Sequence, residues 1–292
     1  MFNNFSTQFR LTKPSALAGV IFSAILLVAA EASATPFDTS VSITASVNLN
    51  VFSSEAPAGL TQSGTFSQVI GGAMIASTVD NTLNITGTLP LGGTLTDIDD
   101  GVGMRFQSSG NSSDATDSFE LFGDYRISLA NTSVTDTFKI TLGLEFVNSV
   151  DASGQDVGSE GEIILEEEGT KIFFSNLISD TLIGDGAGGL SFGNPSYDII
   201  LADLGTAGAA LLDENSILFD FILAPGQTVS LTGQNDLMVD LFNGDYRALV
   251  ESRIFVSAVA NQATQPQPVP EPAGLWLFVA GLMGLRAVRR FC

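Results

Sequence analysis

Apolar residues recur at every second position in several stretches of this chain. Phe138, Ile140, Leu142, Leu144 and Phe146 alternate with Thr137, Lys139, Thr141, Gly143 and Glu145. Val41, Ile43, Ala45, Val47, Leu49 and Val51 alternate with Ser42, Thr44, Ser46, Asn48 and Asn50. A period of two puts one row of side chains in a core and the other in water, so both stretches predict half-buried strands. Tyr125, Ile127 and Leu129 repeat the pattern, as do Val229 and Leu231. Turn-forming residues separate these runs: Gly71-Gly72, Gly92-Gly93, Gly110-Asn111, the stretch from Gly184 to Gly189, Pro225-Gly226 and Asn243-Gly244. Many strands between such turns predict an all-β body of β-sandwich or jelly-roll type. Only Leu201 to Leu212 leaves room for a helical turn or two. Phe119, Phe138, Phe146, Phe219 and Phe221 stand on apolar faces and are expected in the core.

One internal echo stands out. Phe122-Gly123-Asp124-Tyr125-Arg126 resembles Phe242-Asn243-Gly244-Asp245-Tyr246-Arg247. It is compatible with two related halves. The simpler expectation is a shared turn, with glycine supplying the awkward backbone angle.

Charge divides the chain in three. Residues 1–34 carry a net +1, residues 35–268 a net −24 and residues 269–292 a net +2. Two short, apolar ends with basic residues therefore bracket a large acidic body, the pattern of an exported, processed protein. At the N-terminus, Arg10 and Lys13 precede an apolar stretch from Ala16 to Ala30, and Ala32, Ser33 and Ala34 supply the small-x-small pattern of a signal-peptidase site. Cleavage after Ala34 would leave Thr35 as the first mature residue. The apolar stretch is shorter than the roughly 20 residues that span a bilayer.

The C-terminus carries similar parts. A Pro- and Gln-rich linker, residues 262–268, leads to Val269, Pro270, Glu271 and Pro272. An apolar run from Ala273 to Leu285 follows, predicted to be a short transmembrane helix, and then Arg286, Arg289 and Arg290. Residues 269–292 resemble the PEP-CTERM sorting signal of Gram-negative bacteria: the Pro-Glu-Pro triplet, one short apolar helix and a basic tail, in that order. The resemblance implies export through the inner membrane and a membrane-held intermediate. An exosortase would then cut near the triplet and pass the protein to the cell surface or beyond, commonly among exopolysaccharide. The chain departs from the pattern by continuing past the arginines to Phe291 and Cys292. The expected organisation is a signal peptide over 1–34, a β-sandwich body over 35–261, a linker over 262–268 and a sorting signal over 269–292.

Composition excludes several chemistries. There is no histidine, and Cys292 is the one cysteine. A Ser-His-Asp triad, a Cys-His dyad, a His-bound zinc and a Cys-x-x-Cys site all lack their parts. Nucleic acid is not an expected partner for so acidic a body, because neutralising phosphates takes a basic patch. Gly189-Leu190-Ser191-Phe192-Gly193 matches the nucleophile elbow, but that elbow needs a histidine base. Gly184, Gly186 and Gly189 match a dinucleotide fingerprint, but Asn194-Pro195-Ser196 follows where a helix is required, so a flexible surface loop is expected.

Carboxylates remain. Asp97, Asp99 and Asp100 precede Gly101 in a short loop and are the candidate calcium ligands, although the EF-hand pattern is not met. Glu160, Glu162, Glu166, Glu167 and Glu168 form a second acidic stretch around Ile163 to Leu165, and Asp114 and Asp117 a third. The plainer reading is solvated surface charge. No cofactor is expected beyond that candidate calcium. The expected function is a non-enzymatic structural or adhesive role at the cell surface or in a biofilm matrix, with signal peptidase and exosortase as processing partners and exopolysaccharide as a candidate neighbour. The alternatives are a calcium-dependent or carbohydrate-binding module and, behind it, a carboxylate-based secreted hydrolase.

Overall fold

The computed structural model describes residues 37–112, 117–191, 194–200 and 208–262. The chain divides into two units, Met1–Ala34 and Thr35–Cys292, and every described residue belongs to the second. The expected signal and sorting segments lie outside the described residues, as does most of the linker.

The described body is all-β, a curled antiparallel sheet with no helix among the described residues. Its backbone is a ribbon of two very long strands, β8 (Phe138–Glu167) and β13 (Thr228–Asn261). They pair antiparallel from Leu231 opposite Glu167 to Asn261 opposite Phe138. At about 3.3 Å per residue such strands, if straight, would far outrun a domain of this size. They are instead bent double. Asn235 in the first half of β13 accepts a hydrogen bond from Ser252 Oγ in its second half (2.7 Å). Asn148 in the first half of β8 donates to the Gly161 carbonyl in its second half (2.7 Å).

The neighbours of the ribbon change at the bend. The first half of β13 pairs with β7 (Asp117–Asn131), its second half with β6 (Gly101–Ser112). The first half of β8 pairs with β12 (Leu211–Leu223), its second half with β9 (Thr170–Asp180). One arm of the sheet continues from β7 through β1 (Val41–Leu49) to β5 (Leu91–Leu95), and from β9 through β10 (Gly186–Ser191) to β11 (Asn194–Ile200). The other arm continues from β6 through β2 (Thr61–Ile70) and β3 (Ala73–Val79) to β4 (Ile85–Thr86).

At the bend, Gly244 stands opposite Gly154, with φ of +156° and +118°. A Cβ on Gly154 would lie 2.6 Å from the Asn243 carbonyl oxygen, and one on Gly244 would lie 2.1 Å from that of Ser153. Only glycine lets the two backbones approach this closely while turning the corner.

The core lies between the arms. Phe66 packs edge-on against Phe106 (5.6 Å between ring centres), and Phe146 of β8 meets Phe173 of β9 (5.0 Å). The five expected core phenylalanines, Phe119, Phe138, Phe146, Phe219 and Phe221, are all buried. The alternating runs from Val41 to Val47, Tyr125 to Leu129, Phe138 to Phe146 and Val229 to Leu231 bury their apolar rows as expected. Val51 departs from its run: β1 ends at Leu49, and Val51 lies in a turn, 91% exposed.

Several expected turns are strand interiors. Gly92-Gly93, Gly110-Asn111 and Asn243-Gly244 lie within β5, β6 and β13. Of the glycine-rich stretch, Gly184 turns, but Gly186 to Gly189 belong to β10, so the expected surface loop is a strand. Glycine in these places answers close packing: a Cβ on Gly110 would sit 2.5 Å from Leu60 Cδ2. Leu211 and Leu212, where a helical turn was allowed, open β12, while residues 201–207 lie outside the described residues.

The Gly-Asp-Tyr-Arg echo also falls inside strands, not at turns. Its two tyrosines are both buried, and both hydroxyls reach a serine. Tyr125 Oη donates to the Ser252 carbonyl (2.6 Å), lies 2.8 Å from Ser252 Oγ and accepts from the Met104 amide (3.2 Å). Tyr246 Oη lies 3.0 Å from Ser108 Oγ. Burial pushes both phenols up, Tyr246 to about 12. Tyr125→Phe strips the closure of these bonds and leaves Ser252 and the Met104 amide short of a partner. It is expected to cost about 1–3 kcal/mol of stability, more than Tyr246→Phe, in thermal denaturation followed by circular dichroism. Equal melting of wild type and Tyr125→Phe would show that this hydroxyl does not help hold the arms together.

Candidate functional site

The Asp97–Asp100 loop connects β5 to β6. The Asp100 carboxylate is buried and accepts backbone amides from Gly71 (2.7 Å), Thr96 (2.8 Å) and Asp97 (3.0 Å). It ties the β2–β3 hairpin to this loop. Asp99 has φ of +70°, and its carbonyl accepts from Arg253 (2.8 Å). Asp97 Oδ2 accepts from the Thr96 hydroxyl (2.9 Å). Among the described residues, no group of three or more acidic or sulfur side chains is gathered so as to hold a metal ion. A calcium ion at Asp97, Asp99 and Asp100 would have to compete with the amides that Asp100 already serves.

The second acidic stretch gains partners that the linear sequence conceals. Along each strand of this arm, alternate residues face outward. The inward row of β13 is Asn235, Leu237 and Val239, all buried, which leaves Asp236 and Met238 facing out. Asp236 stands directly opposite Glu162 of β8, and Met238 lies between Glu160 of β8 and Glu120 of β7. Four carboxylates from three strands thus share one patch of the sheet. Asn176 of β9 donates to Glu160 Oε1 (2.6 Å). Lys171 of β9 is the cation that acts on Glu162.

Asp236 Oδ1 is buried there without a hydrogen-bond partner. Desolvation raises the Asp236 carboxyl most, and the neighbouring charges of Glu120, Glu162 and Glu160 raise it further, to about 8. Glu162 is also raised, by burial and then by Glu160, against the pull of Lys171. A protonated Asp236 can donate a hydrogen bond to Glu120. Asp236 can therefore hold a proton at neutral pH. Glu166 and Glu167 continue β8, and Glu168 turns into β9 with φ of +49°. Asp117 opens β7, and Asp114 lies outside the described residues.

A third feature sits at the bend. A recess of about 640 Å³ is lined by Ser109, Gly110, Asp151, Ser153, Asp245, Tyr246 and Arg247. Register builds it in two rows across three strands: Ser109, Arg247 and Asp151 in one, Asn111, Asp245 and Ser153 in the next. Asn111 donates to Asp245 (2.7 Å). Guanidinium donors, carboxylate acceptors and hydroxyls alternate here over a few ångströms, an arrangement suited to hydroxyl-rich ligands. Ser191 of the elbow-like motif ends β10, and the next described residues form the strand β11. The processing residues Ala32, Ala34, Val269, Pro270, Glu271, Pro272, Arg286, Arg289 and Arg290 lie outside the described residues.

The chain matches no protein-family model and no curated protein. Among solved structures it is similar, over 83% of its length and 71% of theirs, to the VP2 subviral particle of infectious bursal disease virus, at 11% identity and a TM-score of 0.14. It is also similar to the Gt strain of that virus, over 84% of this chain and 72% of that one, at 13% identity and a TM-score of 0.13. Likeness at this level identifies neither a family nor an activity.

The carboxylate patch makes stability depend on pH. Asp236 has a folded pKa near 8 against an ordinary 3.8, so between these values the folded state holds a proton that the unfolded state has lost. Stability therefore falls as pH rises from about 4 to about 8 and levels off above that. Asp236→Asn removes the titration. Its melting temperature is expected to be flatter over this range and to exceed that of wild type by a few degrees at pH 9 (roughly 1 kcal/mol per 2–4 °C). A wild-type melting point that stays level or rises across the window would contradict the shared proton.

Proposed function

We propose that this chain is an exported β-sandwich protein, delivered by its signal peptide, held briefly in the membrane by its C-terminal segment and processed there by an exosortase. It would then act at the cell surface or in an exopolysaccharide-rich matrix, in a structural or adhesive role and not as an enzyme. The observation that carries this reading is the succession of parts in the tail sequence: Pro270-Glu271-Pro272, a short apolar run, then Arg286, Arg289 and Arg290. The described body is in keeping with it. Its last strand ends at Asn261, where the Pro/Gln linker is about to begin. The two arms face each other over one apolar core, which supports reading the curled sheet as a sandwich. A body of net −24 suits a hydrated extracellular setting.

The recess at the bend favours carbohydrate binding as the second reading. Its mixed donors and acceptors match the vicinal hydroxyls of a sugar better than they match an anionic polymer, which the acidic body would repel. Binding on a glycan array that is lost on Arg247→Ala, with the melting point unchanged, would support it. An array without signal would remove it. A melting point that rises with added calcium would point instead to the Asp97–Asp100 loop.

Intact-mass measurement on the protein recovered from its producing cells tests the main reading. The expected mature species begins at Thr35 and ends close to the Pro270-Glu271-Pro272 triplet. Recovery of material that still carries Trp276 and Arg290 would replace the sorting signal with an ordinary membrane tether.

A further inference from the structure

We propose that β12 (Leu211–Leu223) is the seat of a symmetric dimer, in which the free edges of two copies pair antiparallel about Leu218. Four strands, β4, β5, β11 and β12, have a single partner strand among the described residues, and their other edge has no partner strand there. Open edges invite pairing with another chain, and proteins usually blunt them with short strands, bulges, proline or lysine. Three of the four are blunted. β4 is two residues long. β5 is five residues long and carries Gly92-Gly93. β11 contains Pro195, and β10 pairs with it through a register that slips twice.

Of these protections β12 has only charge, in Asp213, Glu214 and Asp220, and no lysine. It runs for 13 residues, pairs with β8 without a register break and contains no Lys, Arg, Pro or Gly. Its inner row ends in buried Phe219, Phe221 and Leu223. Its outer row leaves Leu212 60%, Leu218 61% and Ile222 65% exposed. A regular edge of this length, mixed in character with exposed leucine and isoleucine beside carboxylates, offers on the order of ten main-chain hydrogen bonds to a matching strand.

The sequence of β12 fits a second copy of itself. A two-fold axis through Leu218 sets Leu218 against Leu218, Asp220 against Ser216 and Ile222 against Glu214 on the outer face. On the inner face it sets Phe219 against Ile217, Phe221 against Asn215 and Leu223 against Asp213. No two carboxylates meet in this register. Moving the axis one residue to Ile217 would place Glu214 opposite Asp220, a like-charge pair that opposes association. Asp220 is moreover already neutralised by Lys139 at 2.8 Å. The remaining opposition is the long-range repulsion of two bodies of net −24, which salt screens. Pairing of this kind is isologous and closes at two copies.

The test is sedimentation equilibrium of the protein as its host processes it, at low salt and at about 0.15 M salt, where screening shortens to about 8 Å. A monomer–dimer equilibrium that tightens with salt is expected. Leu218→Lys sets two ammonium groups face to face and should raise the dissociation constant at least tenfold. Met74→Lys, at a 54% exposed apolar position on β3, should leave it unchanged. Because Leu218 is 61% exposed in the single chain, Leu218→Lys should melt with the wild type at protein concentrations below the dissociation constant, where both are monomers. In a Cys292→Ser background, Leu218→Cys should form a disulfide-linked dimer under mild oxidation, and Ile222→Cys should not. A monomer at every salt concentration, a dimer that Leu218→Lys leaves intact, or equal cross-linking at both cysteine positions would overturn the proposal.

Discussion

Ser252 is held from two directions inside the core. Its hydroxyl donates to Asn235 and lies 2.8 Å from the Tyr125 hydroxyl, while Tyr125 also donates to its carbonyl. Asn235 and Ser252 belong to the same strand, 17 residues apart, and Tyr125 comes from the strand paired with the first half of that strand. This polar knot therefore registers the two halves of β13 face to face. Apolar packing alone would close the arms at many nearby offsets, because Leu, Val and Phe rows slide past one another at little cost. A buried hydroxyl or amide left unmatched costs about 1–3 kcal/mol, so offsets that break the knot are disfavoured individually. Asn148 and Gly161 fix the fold-over of β8 in the same way, and a Cβ at residue 161 would lie 2.1 Å from Asn148 Oδ1.

The strands and their buried faces were legible in the sequence because period-two patterning reports directly which row is dry. Phe138 to Phe146 and Tyr125 to Leu129 read correctly for this reason. The bend was not legible. Asn243-Gly244 carries the same letters whether glycine closes a hairpin or lets two strands turn a corner together, and only the facing Gly154 distinguishes them. Gly110 and Gly186 to Gly189 misled in the same way, because glycine marks close backbone approach as readily as a turn. Val51 continued an alternating run but falls beyond the last paired residue of β1. There Asn50 caps the turn by accepting the Phe52 amide (2.9 Å).

The carboxylate patch shows the same limit in its chemistry. Glu160 and Glu162 could be singled out from their neighbours in the chain. Glu120 and Asp236 could not, because neither lies near another acid in a way that marks it. What joins the four is register, a non-local property. Asp97, Asp99 and Asp100, by contrast, are adjacent in sequence, yet the tightest of them serves backbone amides. Proximity along the chain marked one acidic group and concealed another.

The like-charge apposition in the patch is inherited from the core. Leu237 and Val239 of β13 and Ile163 and Leu165 of β8 must all face inward, which fixes the parity of both strands. With that parity, Asp236 and Glu162 must face outward together. A slip of one residue would separate them only by turning Asp236 into the apolar layer, which is far more costly than sharing a proton at the surface. A slip of two residues would preserve the faces but pull Asn235 away from Ser252 and Gly161 away from Asn148. The polar knots that define the fold thus also hold the carboxylates together, and protonation of Asp236 is the way this surface accommodates a register that the interior has chosen.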